Sequence, residues 1–210
     1  MIAMVDTGVA NISSVTRAFR RIGVDVTLTT RAADVERAAV VVLPGVGAFR
    51  DGMARLHELQ LVDAIRTAGL DEGTPVVGVC LGMQLLAEAS EEHGVHEGLG
   101  LVPGRVVRLP DDHPGYRVPN IGWCDLRVAR STPLIGPELD GESAYFVHSY
   151  HLACRDPEDV AATIDFAGRP ITAAVARGRF MGAQFHPEKS QDTGLAILSA
   201  LVDLASAHAA

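Results

Sequence analysis

Pro75-Val-Val-Gly-Val-Cys80-Leu-Gly82 is the stretch on which the fold turns. Pro75–Val79 is a short aliphatic run with no polar alternation, as expected of a strand covered on both faces, and such strands belong to parallel sheets flanked by helices. Cys80 stands at its C-terminal end. Met83–Ala89 then suits a helix, with Met83, Leu86 and Ala87 on its apolar side. Strand, GxCxG, helix is the cysteine form of a nucleophile elbow, a turn so tight that only small neighbours clear the residue at its apex. Free N–H groups and the dipole at a helix N-terminus favour a thiolate there. A buried core cysteine is the competing reading, because free Cys is among the most buried residue types.

Working outward, the N-terminal half repeats the strand–helix alternation of βαβ units. Met1–Val5 reads as a buried strand, and Val15, Ala18, Phe19 and Ile22 form one helix stripe. Val24–Leu28 reads as a second strand. Ala39–Leu43 is a central strand closed by Pro44-Gly45, and Leu61, Val62 and Ile65 mark another helix. Beyond the elbow the runs are shorter and separated by turn residues. Candidate strands are Arg105–Leu109, Cys124–Val128, Ala144–Tyr150, Val160–Phe166, Ile171–Ala176 and Phe180–Phe185, with a final helix near Asp192–Ala205 and a frayed tail. With no linker or repeat, residues 1–210 are expected to form one domain: a flavodoxin-like α/β sheet flanked by helices, joined to an antiparallel β-rich half.

Composition narrows the function classes. Eighteen basic against 26 acidic residues, a net of −8, with no basic run longer than Arg20-Arg21, argues against nucleic acid as a partner. No apolar run approaches the ~18 residues that span a bilayer, and the N-terminus has no export signal, so a cytoplasmic protein is expected. The three cysteines, Cys80, Cys124 and Cys154, fit neither a disulfide framework nor a CxxC pair and read as reduced thiols.

Gln184-Phe185-His186-Pro187-Glu188 follows the last candidate strand, so in extended structure His186 and Glu188 share a face. An imidazole oriented by a carboxylate, with its other nitrogen free toward a thiol, is what nucleophilic catalysis requires. Taken alone, His-Pro-Glu reads better as an exposed turn; the elbow reverses that. His148 is the rival base, but it lacks a carboxylate two residues away and reads as structural. His93 and His96, in Glu-Glu-His-Gly-Val-His-Glu-Gly, read as a solvated acidic loop rather than a metal site. Leu43-Pro44-Gly45-Val46-Gly47 places two glycines past a central strand at the same sheet edge as Cys80, where backbone N–H groups can turn toward an oxyanion. A dinucleotide loop is the alternative there; it fails because position 50 is Arg where GxGxxG needs Gly.

These residues carry a resemblance. DTGVANISSV at 6–15, LPGVGAF at 43–49, GVCLGMQLL at 78–86, PNIGW at 119–123, YFVHSY at 145–150 and GAQFHPEKS at 182–190 resemble the class I, or triad, glutamine amidotransferases. Within them the chain is similar to the glutaminase subunits of imidazole glycerol phosphate synthase. The resemblance implies hydrolysis of L-glutamine through a thioester on Cys80, with His186 as base and Glu188 as its orienter, and with no cofactor or metal. It implies substrate contacts at Gly45, Val46, Gly47, Leu81, Gln84, Ser149 and Tyr150. It further implies a heterodimer with a (βα)8-barrel cyclase subunit that receives ammonia and makes imidazole glycerol phosphate and an aminoimidazole carboxamide ribotide in histidine biosynthesis. Asn11, Pro119, Asn120, Trp123, Tyr145 and Lys189 would face that partner. Two departures concern the interface: Cys124 where Asn is common, and Ala10 where Gly often precedes Asn. Alternatives from the same residues are the glutaminase of pyridoxal phosphate synthase, whose Gly-Gly-Glu-Ser segment is lacking here, and a flavodoxin-like thiol sensor or chaperone without turnover.

Overall fold

The computed structural model describes residues 1–8, 12–71, 73–113 and 115–208. The N-terminal part runs β1 (Ile2–Val5), α1 (Ile12–Arg21), β2 (Thr27–Thr29), α2 (Ala32–Glu36), β3 (Val40–Gly45), α3 (Phe49–Glu58), α4 (Val62–Leu70), β4 (Val76–Cys80) and α5 (Leu81–Leu85). The remainder runs β5 (Ala87–Ser90), β6 (His96–Glu97), β7 (Val102–Arg108), β8 (Asn120–Asp125), β9 (Arg127–Val128), β10 (Ser143–His148), β11 (Tyr150–Cys154), β12 (Val160–Phe166), β13 (Arg169–Arg177), β14 (Phe180–Ala183) and α6 (Gln191–His208).

An eight-stranded sheet in the order β2-β1-β3-β4-β14-β13-β12-β9 carries the molecule. Its first five strands are parallel and its last three antiparallel. β3 and β4 are buried at every position, which is why their sequences are unbroken aliphatic runs. The two-residue period sorts their side chains onto opposite faces. Val40, Val42, Val77 and Val79 join Phe19 of α1 and Ile197, Leu198 and Leu201 of α6. Val41, Leu43 and Val76 join Phe49 and Leu56 of α3, Ile65 of α4 and Met83 of α5. Two smaller sheets, β11-β7-β5-β6 and β10-β8, stand against this frame. No helix among the described residues is long and apolar enough to cross a membrane.

Four expectations change. The second strand is only Thr27–Thr29, because Gly23 at φ +76° turns the chain and residues 24–26 stay irregular at the sheet edge. The helix expected over Met83–Ala89 stops at Leu85, and Ala87–Ser90 pairs instead with β7; the apolar spacing is helical, and the strand pairing overrides it. Ala144–Tyr150 is not one strand: it breaks at Ser149, leaving β10 and β11 in different sheets. Cys124–Val128 is interrupted at Leu126, with β8 beginning already at Asn120. Helices α2 and α3 are additional to the elements expected.

Candidate active site

Sheet register brings the site together. Gly45 of β3 lies opposite Cys80 of β4, and Val79 lies opposite Ala183 of β14. Three chain segments far apart in sequence therefore leave the sheet side by side at one edge: the glycine loop, the Cys80 turn and the His-Pro-Glu turn.

Cys80 holds φ +54° and ψ −112°, a strained backbone for a residue with a Cβ, and is the N-cap of α5. Close packing enforces the turn. A Cβ at Gly82 would lie 1.7 Å from the Leu43 carbonyl oxygen, and one at Gly78 would lie 2.4 Å from the Gly82 carbonyl group. With only five residues, α5 contributes less dipole than the longer helix anticipated.

His186 and Glu188 do not lie along an extended strand. Pro187–Lys189 is a 3-10 turn, and it folds Glu188 back so that its Oε1 is 2.9 Å from His186 Nδ1. Both side chains are buried, at 4% and 2% exposure. Burial would depress the imidazole, but the Cys80 thiol and the Glu188 carboxylate outweigh it and hold His186 up to about 9. His186 Nε2 makes no hydrogen bond of normal geometry. Cys80 is the larger of the two raising influences on the ring, and catalytic contacts of this kind are often loose until a substrate arrives.

A cavity of about 270 Å³ opens over Cys80, floored by Leu81, Gln84 and His186 and walled by Val46 and Gly47 on one side and Ser149 and Tyr150 on the other. It lies just below the ~300–1,000 Å³ of ordinary ligand pockets, a size for one amino acid rather than a nucleotide. Gly45 lies behind this wall, packed under Leu81. His148 also lines the cavity, with both nitrogens engaged. Because the Tyr150 carbonyl can only accept, Nδ1 at 2.9 Å donates to it, which leaves Nε2 to accept from Asn120 Nδ2 at 3.1 Å. Burial keeps this ring neutral, lowering it to about 4. Glu92 falls in the stretch that sequence reads as a solvated acidic loop, yet it is half-buried at the site. Its carboxylate lines the cavity and accepts from the Phe49 backbone N–H at 2.7 Å, capping α3 from 43 residues away. Gln184, fully buried beside Cys80, was likewise given no role. Among the described residues no group of three or more His, Cys, Asp or Glu is placed to hold a metal ion.

The family model for class-I glutamine amidotransferases matches residues 3–202. The chain belongs to this family. Curated relatives of the amidotransferase include "Imidazole glycerol phosphate synthase subunit HisH" of Syntrophotalea carbinolica, 44% identical over 97% of this chain and 100% of that protein. The protein of the same name from Bacillus licheniformis is 46% identical over 94% and 93%. Among solved structures, a crystal structure of a glutamine amidotransferase superposes with TM-score 0.75 at 19% identity, covering 98% of each chain. PurLQS from Thermotoga maritima also gives TM-score 0.75 at 19% identity, over 96% and 97%. These two likenesses concern the fold.

Beside the cavity mouth the amidotransferase carries the two-stranded antiparallel sheet of β8 and β10. Trp123 and Tyr145 pair across it with ring centroids 5.9 Å apart, and Lys189 Nζ lies 5.5 Å over the Tyr145 ring. Trp123 is 49% exposed and Ile121 61% exposed. Pro119 lines the cavity itself, and Asn120 holds His148. Cys124 is half-buried, 3.6 Å from Asn120 Nδ2, and burial raises its thiol. Asn11 and Ala10 lie outside the described residues.

Proposed function

We propose that this amidotransferase hydrolyses L-glutamine through a γ-glutamyl thioester on Cys80 and delivers the ammonia to a (βα)8-barrel cyclase subunit. It is the glutaminase subunit of imidazole glycerol phosphate synthase, acting in histidine biosynthesis. The observation that carries the mechanism is the strained Cys80 elbow beside the buried His186–Glu188 pair at the floor of an amino-acid-sized cavity.

His186 takes the thiol proton and Cys80 attacks the side-chain amide carbon of glutamine. The carbonyl oxygen gathers negative charge, which the backbone N–H groups of Leu81 and the Gly45-Val46-Gly47 loop receive; such a donor is typically worth about 2.7–4 kcal/mol. As the C–N bond breaks, the His186 imidazolium protonates the departing ammonia. Water then attacks the thioester, giving its proton to His186 and releasing glutamate and free Cys80. Glu188 fixes the ring through Nδ1 and supports its positive charge. Gln84, Ser149 and Tyr150 hold the rest of the substrate. Glu92 is the acidic group on the wall and suits the α-ammonium.

The face of exposed Ile121 and Trp123 and half-buried Tyr145, with Asn120, Pro119 and Lys189 beside it, is where the cyclase docks, in a cytoplasmic heterodimer with the chain as one domain. An apolar, aromatic patch rimmed by polar groups is the composition expected of an interface. Glutamate release from glutamine, measured with the chain alone and with a cognate cyclase plus its ligand, tests the reading. The expected result is low activity alone, strong stimulation in complex and none in Cys80→Ala. Unchanged turnover in that variant would refute it.

A further inference from the structure

Beneath the cavity floor, the donors and acceptors of four groups leave one solution. The Tyr150 carbonyl accepts from His148 Nδ1 and from Gln84 Nε2, each at 2.9 Å, which uses both of its lone pairs. A carbonyl cannot donate, so Gln84 must present its amide nitrogen there. The other proton of that nitrogen goes to Gln184 Oε1 at 2.9 Å. Gln184 is in turn fixed with its oxygen toward Gln84, and its amide nitrogen is left facing Cys80 Sγ at 3.8 Å, within reach of an N–H···S bond. Gln184 is fully buried and Gln84 is 6% exposed. An amide kept in a core where an apolar residue of equal size would avoid the desolvation cost calls for a reason beyond packing.

We propose that Gln184 is a positioning residue for the nucleophile: its amide N–H holds the Cys80 sulfur and stabilises the thiolate, in an orientation imposed through Gln84 by the Tyr150 carbonyl. This rests on the reading of Cys80 as nucleophile. A hydrogen bond to the charged form of an acid favours that form, and a buried donor that cannot turn away does so at no reorganisation cost. The Cys80 sulfur is thereby aimed by the protein itself, from the residue that directly follows β14 and whose N–H is bonded to the Ala173 carbonyl at 2.8 Å. The same arrangement assigns Gln84 its remaining group. With both protons committed, only its Oε1 is free, and it can accept from a substrate ammonium but cannot bind a carboxylate. Other titratable groups sharing the cavity are His186, His148, Tyr150 and Glu92, with Glu188 behind His186.

The test uses the amidotransferase–cyclase complex with Gln184→Met, which keeps length and removes the donor, and Gln184→Glu, which keeps shape and adds charge. Iodoacetamide alkylation of Cys80, followed across pH on the peptide that carries it, reads the thiolate directly, alongside kcat and KM for glutamine. Gln184→Met is expected to move the alkylation midpoint up by about one pH unit and lower kcat about tenfold, with KM within about twofold. Gln184→Glu moves the midpoint further, by about two units, and lowers kcat about a hundredfold, because a carboxylate then faces the thiolate. If Gln184→Met does not fold, the shape-preserving Gln184→Glu decides alone. An unshifted midpoint, or a loss confined to KM, overturns the proposal. That outcome leaves Cys80 as nucleophile untouched, whereas full activity in Cys80→Ala overturns the underlying reading instead.

Discussion

The Cys80 elbow and the His186–Glu188 turn leave neighbouring parallel strands at one sheet edge, yet they are held in different ways. Each rests on a helix glycine packed backbone to backbone. A Cβ at Gly82 of α5 would lie 1.7 Å from the Leu43 oxygen, and one at Gly194 of α6 would lie 1.8 Å from the Pro187 oxygen. Above that contact they diverge. Cys80 has no side-chain cap bond to α5, so its strained dihedral rests on the close backbone packing at Gly78 and Gly82. The second turn is laced by polar bonds: Ser190 Oγ donates to the His186 carbonyl at 2.7 Å and accepts from the Tyr145 backbone at 3.0 Å, while the His186 N–H donates to the Tyr145 carbonyl at 3.0 Å. The nucleophile is therefore packed against β3, and the base is tied to β10, whose Tyr145 belongs to the proposed docking face.

The largest effect should come from filling the elbow. Gly82→Ala is expected to cost more than about 4 kcal/mol, measured as loss of soluble protein or collapse of the thermal transition, since the atom it meets is backbone and has nowhere to move. Soluble Gly82→Ala with normal turnover would mean the elbow is not held by volume. Next comes chemistry at the turn. His186→Asn should lower kcat in the complex by about 10³–10⁴, and Glu188→Gln by about 10², because one group moves the proton and the other supports it. Glu188→Gln should also shift the alkaline limb of the rate profile below the His186 value of about 9. Equal losses in His148→Asn and His186→Asn would show that the wrong histidine had been chosen.

Stability against pH separates the two regions more finely. His186 is raised in the folded chain, so its contribution is complete below the unfolded value of about 6.5 and is lost as pH rises through about 9. His148 and His151 are lowered by burial to about 4, so theirs is complete above 6.5 and lost as pH falls through 4. Each shift corresponds to roughly 3 kcal/mol. Chemical denaturation at a series of pH values should show His186→Asn flattening the alkaline side and His148→Asn the acid side. The smallest effect belongs to Ser190→Ala, which removes two bonds from the turn and should cost about 1–2 kcal/mol with a lowered kcat. A variant as stable as the parent would show that the polar lacing is dispensable.

How much of this was legible in the sequence follows from the range of the interactions. GxCxG is a local pattern that ends where a strand stops, so its spacing marks Cys80, whereas His-Pro-Glu alone reads as an exposed turn and becomes a candidate base and orienter only beside that elbow. The glycine loop was legible for the same reason as GxCxG. Glu92 was not, because its meaning comes from the Phe49 N–H 43 residues away. Gln184 faces a sulfur 104 residues away, and its amide orientation is decided by a third segment. The insertion of β14 beside β4, which makes Cys80 and His186 neighbours, is likewise a choice of pairing that no local period encodes. The helix expected over Met83–Ala89 overruns into strand β5 because Met83, Leu86 and Ala87 keep a helical spacing, and only pairing with β7 overrides it.

The central claim is that Cys80 becomes acylated during turnover. Rapid acid quenching of the complex with glutamine, followed by peptide mass analysis, tests it most directly. The account predicts a mass increase of one γ-glutamyl group on the peptide bearing Cys80, absent from Cys80→Ala and strongly reduced in His186→Asn. Glutamate release without any adduct on Cys80, or with the adduct on Cys124 or Cys154, would contradict it.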